Sequence, residues 1–90
     1  MAETTLTIHH AEGLHARPLT LFVKTAKGFK SDIRVRNVTT GSKTVNGKSP
    51  LELLLLAAQQ GHEIGITATG PDAEEALAAL RQLVEKNFEV

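Results

Sequence analysis

Hydrophobic and polar residues alternate in several short stretches of the chain, and this spacing predicts β-strands. The alternating stretches are residues 5–9, 32–36, 43–46 and 63–69. Alternation with a period of two places every second side chain on the same face of a sheet, so Leu6 and Ile8 of the first stretch are expected to point inward. Each predicted strand therefore has one apolar and one polar face, which favours an antiparallel sheet with one face in solvent.

Three further stretches carry apolar residues at helical spacing. The first helix is predicted over residues 16–27, with Gly28 as its C-terminal cap. The second is expected to start after Ser49, a good N-cap, with Pro50 at the first helical position, and to end before Gly61. The apolar positions of the first helix are Leu19, Phe22, Val23 and Ala26.

Two of these helices carry a glutamate in the first turn at the spacing of a capping box. Glu52 follows Ser49 by three positions, and Glu75 follows Asp72 by the same interval. In such a box the cap side chain accepts the N–H of the third helical residue, whose own side chain returns to the N–H of the cap. We therefore predict a capping box at both sites, with the third helix starting at Asp72. Its apolar stripe is Ala76, Leu77, Leu80, Leu83 and Val84.

The predicted element order is β-α-β-β-α-β-α, and we expect residues 1–90 to form a single domain. A chain of this length has room for one modest core. Short strands with one apolar face each, combined with amphipathic helices, favour an α+β fold. The expected architecture is a two-layer, open-faced sandwich in which helices cover one face of an antiparallel sheet.

Composition excludes several kinds of partner and site. Ten basic and ten acidic side chains give zero formal charge, so no overall field attracts nucleic acid or an anionic membrane. The chain has no tryptophan or tyrosine for bases to stack on, and no cysteine for a disulfide or thiolate site. We therefore expect no nucleic acid, no metal and no cofactor.

Hydropathy indicates a cytoplasmic protein. No basic segment precedes an apolar one near the start of the chain, so we expect no signal peptide. The longest apolar run, residues 53–58, is too short to span a bilayer, so we expect no membrane insertion.

The segment Gly13-Leu14-His15-Ala16-Arg17-Pro18 places a histidine immediately before a predicted helix N-terminus. His15 there faces unpaired backbone N–H groups and the positive end of the helix dipole. This environment disfavours imidazolium, so the ring is expected to stay neutral and nucleophilic near pH 7. It also favours an anion attached to the ring. Both properties suit a surface histidine that accepts a phosphoryl group and passes it on, and a simple helix-capping histidine is the alternative.

The same segment resembles the phosphorylation-site signature of the HPr family, the histidine-containing phosphocarriers of the bacterial phosphoenolpyruvate-dependent sugar phosphotransferase system. The resemblance covers nearly the whole chain. Phe22-Val23-Lys24 and Ala26-Lys27-Gly28-Phe29 are similar to the first helix of that family. Lys43-Thr44-Val45-Asn46-Gly47-Lys48-Ser49 is similar to the stretch that leads to its regulatory serine. The resemblance implies a four-stranded antiparallel sheet with three helices on one face.

The resemblance also implies how the site works. His15 would take phosphate on its Nδ1 atom from phosphorylated enzyme I and give it to a histidine on an enzyme IIA domain, for sugar uptake. We expect Arg17 to donate a charge-assisted hydrogen bond to the phosphoryl oxygens, supported by the backbone N–H groups of Ala16 and Arg17. Gly13 is expected to let the loop bend so that the ring turns outward. Such a protein is a carrier in a relay and does not turn over a small substrate alone.

Two neighbouring surfaces are candidates for docking these partners. The polar face of the first helix carries Arg17, Thr20, Lys24 and Lys27. A basic stripe there would steer acidic partners, and a merely solvated face is the alternative. The second helix is short enough to bury only Leu53 and Leu56, so its other leucines are expected to form an exposed apolar patch rather than core. The patch comprises Leu51, Leu54 and Leu55, extended by Pro50 and Leu21.

Ser49 corresponds to the serine that a dedicated kinase phosphorylates in some members of the family. A phosphate there would be compatible with the helix dipole and would place negative charge beside the leucines. Pro50 is unusual directly after that serine, so a helix cap that is never modified is the alternative. An HPr serine kinase and regulatory proteins are therefore further candidate partners.

Two functions remain open at this point. The first is a phosphocarrier for sugar uptake, acting as a monomer. The second is a regulatory binding module of the nitrogen-related branch, which binds partners according to its phosphorylation state. Residues 68–71 and 74–80 are more similar to the nitrogen-related members of the family and favour that second function. The remaining histidines, His9, His10 and His62, are interpreted as solvated or structural.

Overall fold

In the computed structural model, which describes residues 1–89, four strands form one antiparallel sheet in the order β1-β4-β2-β3. The strands are β1 (Ala2–Thr7), β2 (Asp32–Asn37), β3 (Val45–Asn46) and β4 (Glu63–Thr69). The helices are α1 (Ala16–Lys27), α2 (Pro50–Leu54) and α3 (Ala73–Glu85). The predicted α+β fold and its β-α-β-β-α-β-α order are confirmed.

The core lies between the sheet and the helices because each strand turns its apolar face toward them. β4 buries Ile64, Ile66 and Ala68 on one face, as the alternation predicts. The predicted stripes of α1 and α3 are buried against that face. Each large apolar side chain removed from water contributes about 1.5–3 kcal/mol, so these stripes fix the helices over the sheet.

Two strands, β1 and β3, differ from the prediction by more than one residue. β1 starts three residues earlier than expected, because the far end of β4 pairs with it and places Ala2 opposite Ala68. Ile8 lies beyond the strand yet is fully buried, and its N–H donates to the carbonyl of His62 at 2.9 Å. β3 has only two paired residues, Val45 and Asn46, so the first half of the predicted strand 43–46 is irregular.

The predicted capping box of α2 is half formed. The Ser49 hydroxyl accepts the N–H of Glu52 at 3.2 Å, as expected for an N-cap. The Glu52 carboxylate does not return to Ser49 but accepts the N–H of Asn46 at 3.1 Å. Glu52 therefore ties the start of α2 to β3 instead of closing the helix on itself.

The predicted capping box of α3 is wrong. The Asp72 carboxylate caps nothing in its own helix and instead accepts the N–H groups of Lys30 and Ser31, each at 2.9 Å, and the Ser31 hydroxyl. The Ser31 hydroxyl and the Lys30 N–H stabilise the charged carboxylate and lower the pKa of Asp72 to about 2. This cluster joins the start of α3 to the turn that follows α1.

Asn37 is a fully buried polar residue that the alternation of β2 did not distinguish from an apolar one. Its amide nitrogen donates to the Leu56 carbonyl and to Nδ1 of His62, both at 3.1 Å. Its amide oxygen accepts the N–H of Thr40 at 3.2 Å. Since burial of a polar group is costly unless it is hydrogen-bonded, these contacts fix the segment after α2 against the β2–β3 turn.

Candidate functional site

His15 lies at the N-terminal end of α1, as the sequence predicts. The helix begins at Ala16, and His15 has the extended backbone of an N-cap, with φ −135° and ψ 170°. The ring is half-buried, so one part of it contacts the protein and the rest faces solvent. The side chain does not cap the helix, because it makes no hydrogen bond with a first-turn N–H.

The ring of His15 is hydrogen-bonded to the loop before it. Its Nδ1 atom lies 3.1 Å from the backbone carbonyl oxygen of Glu12. Among residues 1–89, no hydrogen bond occupies the backbone N–H of Ala16 or Arg17. These N–H groups are the unpaired donors expected at a helix N-terminus, and they are free to bind an anion.

Ala16 has a backbone conformation that is rare for residues with a Cβ atom. Its φ is 49°, in the left-handed region. Such a conformation costs of the order of 1–2 kcal/mol per residue and persists only where surrounding contacts enforce it. The strain lies directly between His15 and Arg17, at the start of the helix that presents both.

Arg17 is exposed but is held at one end. Its Nη1 atom donates to the backbone carbonyl of Phe88 at 3.3 Å. Phe88 is fully buried, and the ring of His10 packs edge-on against it with 6.0 Å between ring centroids. Asn87 and Phe88 both have left-handed φ values, 58° and 60°, which turn the chain back after α3. Sequence reasoning missed this contact, because nothing local to Phe88 indicates Arg17 as its neighbour.

Gly13 is required by a close approach as well as by its conformation. Its φ is 66°, and a Cβ atom at this position would lie 2.5 Å from the carbonyl oxygen of Ala58. The next N–H, that of Leu14, donates to the same carbonyl at 2.8 Å. The predicted bend at Gly13 is therefore present, and it presses the loop before His15 against the segment that follows α2.

An open concavity of about 460 Å³ lies beside the ring of His15. It is lined by Ala11, Glu12, His15, Gln59 and Gln60. The side-chain amide of Gln60 donates to the backbone carbonyl of His9 at 3.1 Å, whereas Gln59 uses its backbone N–H to bond Nδ1 of His62 at 3.2 Å. Sequence reasoning missed both glutamines, because only the folded chain brings the segment after α2 to this loop.

The leucines of α2 and of the two residues that follow it divide as predicted. Leu53 and Leu56 are buried, whereas Leu51 and Leu55 are 73% and 72% exposed and Leu54 is 46% exposed. Pro50 is also exposed, and Leu21 is half-buried against the core. We call the exposed group of Pro50, Leu51, Leu54 and Leu55 the leucine patch.

The polar face of α1 is exposed at the predicted positions. Thr20, Lys24 and Lys27 all face solvent, and the Thr20 hydroxyl donates to the carbonyl of Ala16 at 3.2 Å. Because α1 packs against α2, this face and the leucine patch belong to two adjacent helices.

The other histidines have structural partners or face solvent. His10 accepts the N–H of Glu12 on Nδ1 at 3.1 Å, and His62 accepts two N–H donors on its Nδ1. His9 is exposed.

Within the described part of the chain, no three His, Cys, Asp or Glu residues are grouped so that they could hold a metal ion. No helix between residues 1 and 89 is long and apolar enough to cross a membrane.

Comparison with known proteins gives consistent matches. A family model described as the PTS HPr component phosphorylation site matches residues 2–86. The phosphocarrier protein HPr of Neisseria meningitidis is 39% identical over 88 residues, which are 98% of this chain and 96% of that protein. A multiphosphoryl transfer protein of Vibrio cholerae is 45% identical over 84% of this chain, but this chain spans only 19% of its length. The crystal structure of HPr-C-His from Thermoanaerobacter tengcongensis covers 100% of both chains with a TM-score of 0.93 and 42% identity.

Proposed function

Because this chain belongs to the HPr family of phosphotransferase-system phosphocarriers, we propose that His15 is the residue that carries the phosphoryl group. It accepts the group from phosphorylated enzyme I and donates it to enzyme IIA domains that serve sugar uptake. One observation carries the proposal: His15 is the N-cap of α1, next to the unoccupied N–H groups of Ala16 and Arg17.

The transfer is an exchange between two nitrogen nucleophiles. The lone pair of the His15 nitrogen, Nδ1 by family resemblance, attacks phosphorus as the P–N bond of the donor histidine breaks. The bonding electron pair returns to the donor nitrogen, so no external base or cofactor is required. Catalysis consists of holding the two rings in line and stabilising the charge on the equatorial oxygens. We expect the N–H groups at the start of α1 and the guanidinium of Arg17 to supply that stabilisation.

Arg17 is tethered in the free protein and is proposed to bind the phosphoryl group during the cycle. In the free protein its guanidinium donates to the neutral carbonyl of Phe88. The guanidinium is charged in both bonds, but only the phosphoryl group is an anionic acceptor that can receive two parallel N–H bonds from it. The phosphoryl group therefore competes favourably for Arg17 once it is attached to His15.

The leucine patch and the polar face of α1 are the proposed docking surface. An apolar centre of Leu51, Leu54 and Leu55 supplies area that becomes dry in a complex. Lys24 and Lys27 border it with positive charge, which accelerates association with acidic partners. Thr20, Leu21 and Pro50 complete the surface. The site at His15 then becomes dry only inside the complex, where loss of phosphate to water is suppressed.

Ser49 is the proposed regulatory position. Its hydroxyl caps α2 and is adjacent to the leucine patch, so a phosphate there would add charge to the docking surface. The Glu52 carboxylate in the same turn would repel that phosphate, and Pro50 follows directly. If Ser49 is modified, the consequence is weaker docking, which also fits a regulatory role in the nitrogen-related branch.

A phosphotransfer assay tests the assignment of His15. The protein is incubated with phosphoenolpyruvate and purified enzyme I, and the adduct is measured by intact mass and by its lability in acid. We expect one acid-labile phosphoryl group on the wild type and on His9→Ala, and none on His15→Ala. His9 is a matched control because it is exposed and lies in the loop leading to the same site. Labelling of His15→Ala would show that another residue is the acceptor.

A second assay separates the two functions. The phosphorylated protein is offered to a sugar-specific enzyme IIA domain and to a nitrogen-related one, and the transfer rates are compared. Preference for the sugar-specific domain supports the carrier function. Partner binding that depends on the phosphorylation state, without onward transfer, supports the regulatory module. We further propose that residues 1–90 form one phosphocarrier domain that acts as a monomer in the cytoplasm.

A further inference from the structure

We propose that the backbone carbonyl of Glu12 stabilises the Nδ1–H tautomer of His15. The phosphoryl-accepting nitrogen is then protonated and cannot act as a nucleophile until this hydrogen bond breaks. The inference deepens the proposed function and rests on it in one respect, namely that phosphate attaches to Nδ1. Glu12 is thus assigned as a positioning residue that acts through the orientation and tautomer of His15.

The assignment of the proton follows from the chemistry of the two partners. The Nδ1 atom of His15 lies 3.1 Å from the Glu12 oxygen. A carbonyl oxygen can only accept a hydrogen bond, so this nitrogen has to carry the hydrogen. A neutral imidazole has one N–H, and the lone pair of His15 is consequently on Nε2 in the resting protein.

The carbonyl that makes this bond is itself fixed in direction. The peptide group between Glu12 and Gly13 is anchored at its other end, where the Gly13 N–H donates to the His10 carbonyl at 2.9 Å. The N–H of Glu12 donates to Nδ1 of His10 at 3.1 Å. Gly13 has left-handed backbone geometry and abuts Ala58, so the turn cannot easily rotate its carbonyl away. The acceptor is therefore built into the loop.

The other histidines show the opposite arrangement. The Nδ1 atom of His10 accepts the N–H of Glu12, and that of His62 accepts the N–H of Gln59 and the amide of Asn37. A nitrogen that accepts from N–H donors cannot carry a hydrogen, so both rings are Nε2–H tautomers. The exposed His9 has no ring hydrogen bond to any residue between 1 and 89. His15 thus has the tautomer opposite to that of the two other half-buried rings, His10 and His62.

In the resting orientation Nδ1 makes no hydrogen bond with the groups that would stabilise a phosphate. The ring makes no bond to the first-turn N–H groups of α1. Nδ1 instead faces the loop, where the Glu12 side chain also lines the concavity, and its carboxylate would repel a phosphoryl group. Phosphate can attach to Nδ1 and bond the N–H groups of Ala16 and Arg17 only after the Nδ1–Glu12 bond is lost.

The sequence of events before transfer is therefore defined. The Nδ1 proton passes to water, Nε2 takes a proton from water, and the Nδ1–Glu12 bond is lost. The ring turns, and the Nδ1 lone pair attacks the donor phosphorus as the donor P–N bond breaks. Nε2 keeps its proton throughout the transfer. The resting tautomer lowers the population of the competent ring, and the transfer rate falls by the same fraction.

Nitrogen NMR measures the tautomer of each ring directly. Long-range proton–nitrogen correlation spectra of the ¹⁵N-labelled, unphosphorylated protein are recorded at a pH where the rings are neutral. We expect protonated Nδ1 for His15 and protonated Nε2 for His10 and His62, which serve as internal references. A His15 spectrum with protonated Nε2 would overturn the proposal, even if the phosphotransfer assay labels His15. Attachment of phosphate to Nε2 would overturn it as well, since that nitrogen is already open at rest.

A pair of His10 variants tests the role of the loop. His10→Asn retains a side-chain oxygen that can accept the Glu12 N–H two positions on, whereas His10→Phe removes the acceptor and keeps an aromatic ring against Phe88. We expect His10→Phe to shift the tautomer ratio of His15 toward Nε2–H by about fivefold, the factor that corresponds to about 1 kcal/mol. The rate of His15 phosphorylation should rise in the same proportion. For His10→Asn we expect the tautomer ratio and the phosphorylation rate of the wild type. The His62 signal should be unchanged in both variants. Equal ratios in both variants would contradict the proposed role of this anchor.

Discussion

The guanidinium of Arg17 donates to the backbone carbonyl of Phe88, a residue 71 positions further along the chain. Because the Phe88 side chain is fully buried, that carbonyl is fixed by the core and not by the exposed surface around Arg17. The beginning of α1 and the segment after α3 are thereby joined next to His15. The contact gives Arg17 a defined resting position from which it can move to a phosphoryl group.

Replacement of Arg17 should affect the transfer rate far more than stability. Removal of one preorganised donor to a transition-state oxygen costs about 10²–10³ in rate, and we expect Arg17→Ala to lose a factor in this range. Arg17→Lys should be intermediate, because lysine keeps the charge but lacks the planar fork. Rapid-quench measurement of His15 phosphorylation by enzyme I gives the rate. Unfolding free energies of the variants should agree with the wild type within about 1 kcal/mol; an unchanged rate would contradict the assigned role.

Phe88 should contribute to stability although it lies after the last helix. Its side chain is fully buried, and truncation of a buried phenylalanine costs about 3–5 kcal/mol. We expect a loss of this size for Phe88→Ala and a much smaller one for Phe88→Leu, which keeps most of the volume. Denaturant unfolding followed by circular dichroism measures both. A Phe88→Ala protein as stable as the wild type would mean that this segment does not pack on the core in solution.

The leucine patch should matter for docking and not for folding. Leu55 is 72% exposed, so Leu55→Glu should leave the unfolding free energy within about 0.5 kcal/mol of the wild type. The substitution should raise the KM of enzyme I for this protein by about tenfold, since a charge at the centre of an apolar contact costs more than 1 kcal/mol. The matched comparison is Leu53→Ala, two positions earlier in α2. This variant should be destabilised by about 2–5 kcal/mol because Leu53 is fully buried. A KM unaffected by Leu55→Glu would remove α2 from the docking surface.

Asp72 should make stability dependent on acid pH. Its pKa is lowered to about 2 in the folded protein, mainly by the Ser31 hydroxyl and the Lys30 N–H, from an ordinary value of 3.8. A folded pKa below the unfolded one stabilises the protein above the unfolded value. That stabilisation is lost as the pH falls from about 4 to about 2. Urea unfolding across this range should show a shallower pH dependence for Asp72→Asn than for the wild type. Parallel pH profiles would exclude this carboxylate as the cause.

The faces of strands and helices could be predicted from the sequence because they depend on local periodicity. The buried face of β4 and the division between Leu53 and Leu55 follow from spacing alone. The predicted capping box of α2 is half formed and that of α3 is wrong. The Glu52 carboxylate accepts the N–H of Asn46, and the Asp72 carboxylate accepts the N–H of Ser31, instead of N–H groups of their own helices. A spacing rule counts only neighbours in sequence, whereas these carboxylates bond N–H groups that the tertiary fold brings to them.

The candidate site was predictable to a similar extent. The position of His15 before α1 follows from the signature and the helical pattern. The acceptor on its ring, the Glu12 carbonyl, is a backbone atom and carries no signal in the residue type. The tether of Arg17 to Phe88 depends on how the chain turns after α3. Contacts made by backbone carbonyls, whether three residues away as at Glu12 or 71 as at Phe88, are the part that sequence reasoning could not provide.

The contact between Gly13 and Ala58 has a consequence for recognition. With backbone atoms in direct apposition and a 2.8 Å hydrogen bond from Leu14 beside them, the loop carrying the nucleophile and the segment leaving α2 have little freedom to slide past each other. A protein that seats on the leucines therefore meets the imidazole at a preset offset. Partners with quite different folds can then bind in the same way, provided that each has its own histidine at that same distance from the surface that contacts the leucines.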